Sequence, residues 1–219
     1  KPVVLTGAMR SSSDPHPDGP SNLYNSVVQA VSKEAYGWGV TINMNQYIQS
    51  SRDAFKAQTT NLQAFTSGEK GYLGYVFQKK VTKINDRLYR IYLPRSKQLP
   101  KVDLIVDFPG FDGSFIRESV KNGAKGIVIE GFGSGNVNAD VYYALEEAVK
   151  KKVAVVITTT VVEGSVFPIY GDIGGGQMLK KLGAIFAKDI KSQKARLILM
   201  LALAKTDNPE KIEEYFKKA

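Results

Sequence analysis

Lys56 stands in Lys-Ala-Gln-Thr-Thr (residues 56–60), among hydroxyls and amides rather than other charges. A lysine partly desolvated beside a threonine can accept the proton of a Thr nucleophile. A solvated surface lysine is the ordinary alternative, and spacing alone does not separate the two. Just upstream, Ser50-Ser51-Arg52-Asp53-Ala54-Phe55 crowds hydroxyls and charges into one short polar stretch. A second candidate is the loop Gly131-Phe132-Gly133-Ser134-Gly135-Asn136. Its glycines let backbone N–H groups approach a ligand, but they run G-x-G-x-G and not in the dinucleotide pattern G-x-G-x-x-G. The loop therefore reads equally as a ligand loop or as a tight turn between a strand and a helix. Gly174-Gly175-Gly176, ahead of a helical pattern, could receive an anion, though a flexible connector is the plainer reading.

Other chemistries are excluded by composition. The chain has no cysteine, which removes disulfides, thiol nucleophiles, iron–sulfur clusters and Cys-based zinc sites. It has one histidine, so no multi-His metal site can form. That residue, His16, lies in Asp-Pro-His-Pro-Asp-Gly, a turn-forming stretch that suits a surface loop better than a catalytic triad. Hydrolysis by this chain would have to use Thr, Ser, Tyr, Lys or carboxylates.

The net charge of +9 is unevenly spread. Lys79, Lys80, Lys83, Arg87, Arg90, Arg95, Lys97 and Lys101 face one acid, Asp86, and hold most of the excess. Tyr89 and Tyr92 are interleaved with them, a pattern that a nucleic-acid surface can use. No DNA- or RNA-binding motif accompanies the patch. A basic edge strand, with Arg discouraging pairing by another chain, explains it without such a partner. No apolar run reaches the length of a membrane span.

The elements that must hold these residues follow from periodicity. At 43% hydrophobic and 23% charged residues, the 219-residue chain is globular and long enough to bury a large core. Val3-Val4-Leu5 reads as a core strand ending in Thr6-Gly7-Ala8-Met9, followed by a Ser/Pro/Asp/Gly loop over 11–20. Leu23, Val27 and Ala30 mark one face of a helix over 22–31. Strands are expected over 39–44, 73–77 and 88–93. Beyond Pro94–Pro100, a polar and basic linker, the rhythm becomes strand 102–108, helix 114–122, strand 126–130, helix 139–152 and strand 153–158. Such alternation predicts a parallel sheet covered by helices. Three helices should follow, near 177–187, 193–205 and 209–218. For the last, Asn208 is the cap, Pro209 the first residue and Glu210 an acid at the positive end of the dipole. The expected organisation is α/β in two domains: residues 1–94, a linker over 95–101, and a smaller domain over 102–219 with a parallel sheet flanked by helices.

Several segments together carry a resemblance. They are Lys-Pro-Val-Val-Leu-Thr-Gly-Ala-Met-Arg (1–10), Asp-Gly-Pro-Ser-Asn-Leu-Tyr-Asn (18–25), Ser-Arg-Asp-Ala-Phe-Lys-Ala-Gln-Thr-Thr (51–60), Gly-Phe-Gly-Ser-Gly-Asn (131–136) and Gln-Lys-Ala-Arg-Leu-Ile-Leu-Met-Leu-Ala-Leu (193–203). In this order the chain resembles the bacterial-type L-asparaginase/glutaminase family. The resemblance implies hydrolysis of L-asparagine, with L-glutamine as a second substrate, to the acid and ammonia. A Thr hydroxyl attacks the amide carbon, and no metal or organic cofactor takes part. It further implies a homotetramer whose paired subunits complete each other's active sites. Lys56 matches the catalytic lysine, Ala8 the alanine whose backbone carbonyl receives the substrate amide, and Asn136 the asparagine that reaches the substrate region across the subunit interface.

The resemblance also sets expectations about what these residues lack. The family's nucleophilic Thr and its Thr-Asp pair belong to an amino-terminal segment preceding Lys-Pro-Val-Val, so residues 1–94 correspond to the remainder of a larger amino-terminal domain. The 219 residues alone are expected to be inactive. The family's intersubunit Glu cannot be matched to Glu163 or Asp172. The altered neighbours in Lys-Ala-Gln-Thr-Thr change what surrounds Lys56. The loop at 131–136 and the setting of Lys56 look more like exported members, periplasmic or secreted, while other members are cytoplasmic. A non-catalytic amino-acid-binding or partner module of the same fold is the alternative function.

Overall fold

The structure, a computed structural model, describes residues 1–86, 92–93 and 95–219. The expected strand over 88–93 therefore falls mostly outside the described residues, as does Pro94. The chain divides into two compact units, Lys1–Arg90 and Ile91–Ala219.

The second unit follows the sequence pattern closely. Strands β8 (Val102–Val106), β9 (Gly126–Gly131), β10 (Ala154–Thr159) and β11 (Ile185–Phe186) form a parallel sheet in the order β11-β10-β9-β8. Helices α2 (Ser114–Lys121), α3 (Ala139–Lys150) and α4 (Gly176–Leu182) alternate with them, and α5 (Ser192–Leu203) and α6 (Pro209–Lys218) follow. Successive strand residues point to opposite faces. Ile127, Ile129, Val155 and Ile157 thus join one core with Ile116, Val141 and Leu145. Val128 and Val156 join a second with Leu199, Ile212 and Phe216. A sheet buried on both faces explains the near-continuous apolar runs.

Local signals set the ends of these helices. Asn208 accepts from the Lys211 N–H at 3.1 Å with Pro209 at the first turn, as the sequence indicates. Asn138 caps α3 in the same way, accepting from Val141 N–H at 2.9 Å. Its own backbone and side-chain amides donate to the buried Asp107 carboxylate at 2.8 and 2.7 Å. Burial outweighs those bonds and raises the Asp107 pKa above its ordinary value. The helix expected over 177–187 ends early. Gly183, at φ 99°, terminates α4, and Ile185–Phe186 becomes a fourth parallel strand beside β10.

The first unit departs further from expectation. Its strands are β1 (Val3–Leu5), β2 (Val40–Met44), β3 (Tyr47–Ser50), β4 (Phe55–Lys56), β5 (Phe65–Thr66), β6 (Gly74–Phe77) and β7 (Lys80–Lys83). The main sheet runs β1-β2-β3-β6-β7, parallel at β1–β2 and antiparallel elsewhere, and β4 and β5 form a separate ribbon. Two hairpins had no glycine signal. Asn45-Gln46 joins β2 to β3 with φ of 48° and 71°, and Gln78-Lys79 joins β6 to β7 with φ of 45° and 65°. Two-residue hairpins need this left-handed geometry to match strand twist, and Asn-Gly usually supplies it. Lys79→Gly should raise the unfolding midpoint, a gain of about 1 kcal/mol. The readout is fluorescence of Trp38, the chain's one tryptophan, which is buried in this unit.

Helix α1 (Gly19–Val31) has the expected apolar stripe on the unexpected side. Leu23 is 60% and Val31 78% exposed, whereas Asn22, Asn25, Ser26 and Gln29 are buried. Those polar groups bond one another and the sheet. Gln29 Nε2 donates to Thr41 Oγ1 at 2.6 Å, and Asn43 Nδ2 to Gln29 Oε1 at 3.1 Å. Val3 and Leu5 are half exposed as well, because β1 pairs on one side with β2 and forms the end of the sheet among the described residues. Among the described residues Val3-Val4-Leu5 therefore has one paired side, toward Val40–Ile42.

Candidate functional site

Ala8 lies just past β1, in a turn held from both flanks. Asn22 Nδ2 donates to the Gly7 carbonyl at 3.0 Å. The Asp18 carboxylate accepts from Met9 N–H at 3.0 Å and Arg10 N–H at 2.9 Å. The Ala8 carbonyl accepts no hydrogen bond among the described residues. A turn fixed at its neighbours and uncommitted at its centre can offer that oxygen to an incoming N–H donor.

Burial pushes the Asp18 carboxyl up, but the backbone N–H bonds from Met9 and Arg10 and the Asn22 amide outweigh it, so the group sits below its ordinary value of 3.8. A depressed carboxylate contributes stability that is fully present above pH 3.8 and is lost as pH falls through the lower folded value. Amide exchange at Met9 and Arg10 should therefore stay slow at pH 3.8 and accelerate only in stronger acid.

Lys56 closes β4, exposed, with Phe65 opposite it on β5. Its ammonium makes no ion pair or hydrogen bond among the described residues. The polar stretch before it resolves into structure. Arg52 and Asp53 form an ion pair whose side chains are 6% and 8% exposed. Gln58 Oε1 accepts from Thr59 N–H at 2.8 Å and shapes the turn after the strand. The charges around Lys56 are thus spent on one another, and the lysine is the uncommitted cation of its segment.

A line of side-chain amides connects the two places. Gln63 Nε2 donates at 3.1 Å to the carbonyl of Phe65, the residue opposite Lys56. Gln63 Oε1 accepts from Asn45 Nδ2 at 2.8 Å, and Asn45 N–H donates to Asn22 Oδ1 at 3.0 Å. Asn22 then holds Gly7, next to Ala8. Asp18 and Asn22 lie in the segment quoted for its resemblance, yet sequence reading gave them no role. Their i, i+4 spacing at a helix start was the available signal. Gln63 and Asn45 offered none.

In the second unit, Asn136 belongs to a tight turn. Phe132 N–H donates to the Asn136 carbonyl at 2.7 Å, and the Gly135 and Asn136 N–H groups both donate to Phe132 O at 2.9 Å. These amides are used within the loop, which favours the strand–helix turn over an anion cradle. The Asn136 side chain is half-buried and accepts from Gly176 N–H at 3.1 Å. The glycine run 174–176 is neither a flexible connector nor an anion seat. All three residues are buried, and a Cβ on Gly174, at φ 86°, would lie 2.1 Å from the Val137 carbonyl oxygen. Nearby, Val161, Val162, Phe167, Ile169, Tyr170 and Ile173 form an apolar loop about half exposed. Glu163 and Asp172 lie exposed in the same loop, with no bond that identifies either as the intersubunit acid.

His16 is an exposed turn residue whose N–H donates to Asp14 Oδ1 at 2.9 Å. In the basic stretch, β7 is the outermost strand among the described residues, with Lys80 and Lys83 exposed on either side of buried Val81; Arg87, Tyr89 and Arg90 lie outside the described residues. Among the described residues no group of three His, Cys, Asp or Glu could hold a metal, and no helix is long and apolar enough to cross a membrane.

Residues 1–89 match the family model "Asparaginase, N-terminal", and residues 101–216 match "Glutaminase/Asparaginase C-terminal domain". The chain is 37% identical to "L-asparaginase 2" of Bacillus subtilis, over 99% of this chain and 57% of that protein. It is also 37% identical to "Probable L-asparaginase periplasmic" of Haemophilus influenzae, over 99% of this chain and 62% of that protein. The crystal structure of a probable cytoplasmic L-asparaginase from Campylobacter jejuni superposes with a TM-score of 0.92 at 40% identity, covering all of this chain and 72% of that one. The chain thus spans about 57 to 62% of the length of these curated relatives.

Proposed function

The chain belongs to the asparaginase/glutaminase family, and from that premise we propose that it forms part of an amidohydrolase releasing ammonia from L-asparagine, with L-glutamine as a second substrate. Residues 1–94 are read as the remainder of the amino-terminal domain, 95–101 as a linker and 102–219 as the carboxyl-terminal domain. Lys56 is read as the catalytic lysine of a Thr-nucleophile mechanism, its ammonium tuning a second Thr through a neighbouring Asp. The Ala8 carbonyl receives the substrate amide N–H, and Asn136 contributes to a neighbouring subunit's substrate region. The observation that carries the reading is the pairing of an uncommitted lysine with an uncommitted carbonyl on one hydrogen-bonded amide frame.

The nucleophilic Thr is assigned to a segment outside these 219 residues. What supports this is the open edge of β1 beside the outward apolar stripe of α1, a surface suited to a further strand and helix. The half-exposed apolar loop over 161–173 supports a homotetramer with sites shared between subunits.

The test is ammonia release from asparagine, measured on a preparation whose intact mass is determined alongside. Activity at a mass above 24.0 kDa supports the assignment. Activity at 24.0 kDa itself overturns the placement of the nucleophile. Asparagine binding without ammonia release moves the protein to the binding-module class.

A further inference from the structure

We propose that Asn22, acting through Asn45 and Gln63, is a positioning residue that sets the Ala8 carbonyl relative to the Lys56 strand. The inference rests on the reading of Ala8 and Lys56 given above. Asn22 is 2% exposed, and both ends of its amide are used. Nδ2 donates to Gly7 O at 3.0 Å and to Asp18 Oδ2 at 2.9 Å, while Oδ1 accepts from Asn45 N–H at 3.0 Å. One side chain therefore ties the turn carrying Ala8 to the β2–β3 hairpin.

The far half of the line is equally defined. Asn45, at φ 48°, directs its Nδ2 to Gln63 at 2.8 Å. Gln63 Nε2 is shared between the Phe65 carbonyl at 3.1 Å and the Tyr72 hydroxyl at 3.0 Å. Tyr72 is in turn stacked on Tyr47 with ring centroids 4.3 Å apart. The main sheet and the β4–β5 ribbon are separate, so backbone pairing does not fix Lys56 relative to Ala8. The amide line supplies that registration together with Gln49, whose Nε2 donates from β3 to the same Phe65 carbonyl at 3.1 Å. Satisfied buried networks fix geometry, and small displacements of reacting groups cost much of an enzyme's rate.

Gln63 is half-buried, which makes it the clean place to cut the line. Gln63→Leu keeps the side-chain volume and removes all three hydrogen bonds of the amide, to Asn45, Phe65 and Tyr72. In an active preparation it should lower kcat/KM about tenfold while the thermal midpoint stays near that of the unmodified protein. Asn22→Ala should lower kcat/KM by more, and its midpoint with it. The double variant should be no slower than Asn22→Ala alone, because a line already broken at its hub cannot be broken again. Gln63→Glu, which keeps the acceptor toward Asn45, should fall between Gln63→Leu and the unmodified protein.

Two results overturn the proposal while leaving the amidohydrolase reading intact: unmodified kinetics in Gln63→Leu, or a double variant whose loss is the product of the single losses. Failure of the unmodified protein to release ammonia overturns both, so the two failures are distinguishable.

Discussion

In a preparation that releases ammonia from asparagine, Lys56→Met should lower turnover by about 100- to 10,000-fold, the range for removing a positioned proton-transfer group, with folding unchanged. The expectation of unchanged folding comes from the structure. Lys56 is exposed, its ammonium is unpaired among the described residues, and its strand is held by backbone pairing to Phe65. Substitutions at such positions stay within about 0.5 kcal/mol. Met keeps the length and apolar stem and removes the charge, so the change isolates the ammonium. Steady-state ammonia assays paired with thermal unfolding give the answer. Normal turnover in Lys56→Met would end the role assigned to this residue.

Arg52→Met should have the opposite signature, a loss of stability. The Arg52 guanidinium and Asp53 carboxylate pair with side chains almost removed from water. Cutting one partner leaves the other charge buried and uncompensated, which costs about 3–5 kcal/mol. Replacing both, as Arg52→Met with Asp53→Leu, removes the stranded charge as well and should recover most of the loss. Urea unfolding followed by Trp38 fluorescence reads this unit selectively, and the midpoint should shift with the slope unchanged. An equal loss in the single and double variants would show that the ion pair itself, not the stranded carboxylate, dominates.

The legibility of the two units differs for physical reasons. In the second unit the apolar runs of β9 and β10 are buried on both faces, and Asn138 and Asn208 cap α3 and α6, so β8 to β10 and α6 are legible from local pattern. The error there, β11, arose because Gly183 ends a helix after two turns and a two-residue strand has no period to detect. In the first unit, β3 and β7 were missed because Asn45-Gln46 and Gln78-Lys79 make hairpin turns without glycine. The stripe of α1 is legible as one face, but period does not say which face meets the sheet. Lys56 stands out by its polar surroundings as well as by segment resemblance, Ala8 by resemblance alone. Asn45 and Gln63 stand out by neither, because they meet Asn22 through a hairpin and a ribbon that only tertiary structure brings together.

The reversed helix has a consequence for the life of the protein in a cell. With amides inside and Leu23, Val27 and Val31 outside, α1 offers chaperones and proteases an oily face wherever nothing covers it. Abundance would then follow the speed with which that oily face is covered after synthesis, rather than the depth of the core behind it.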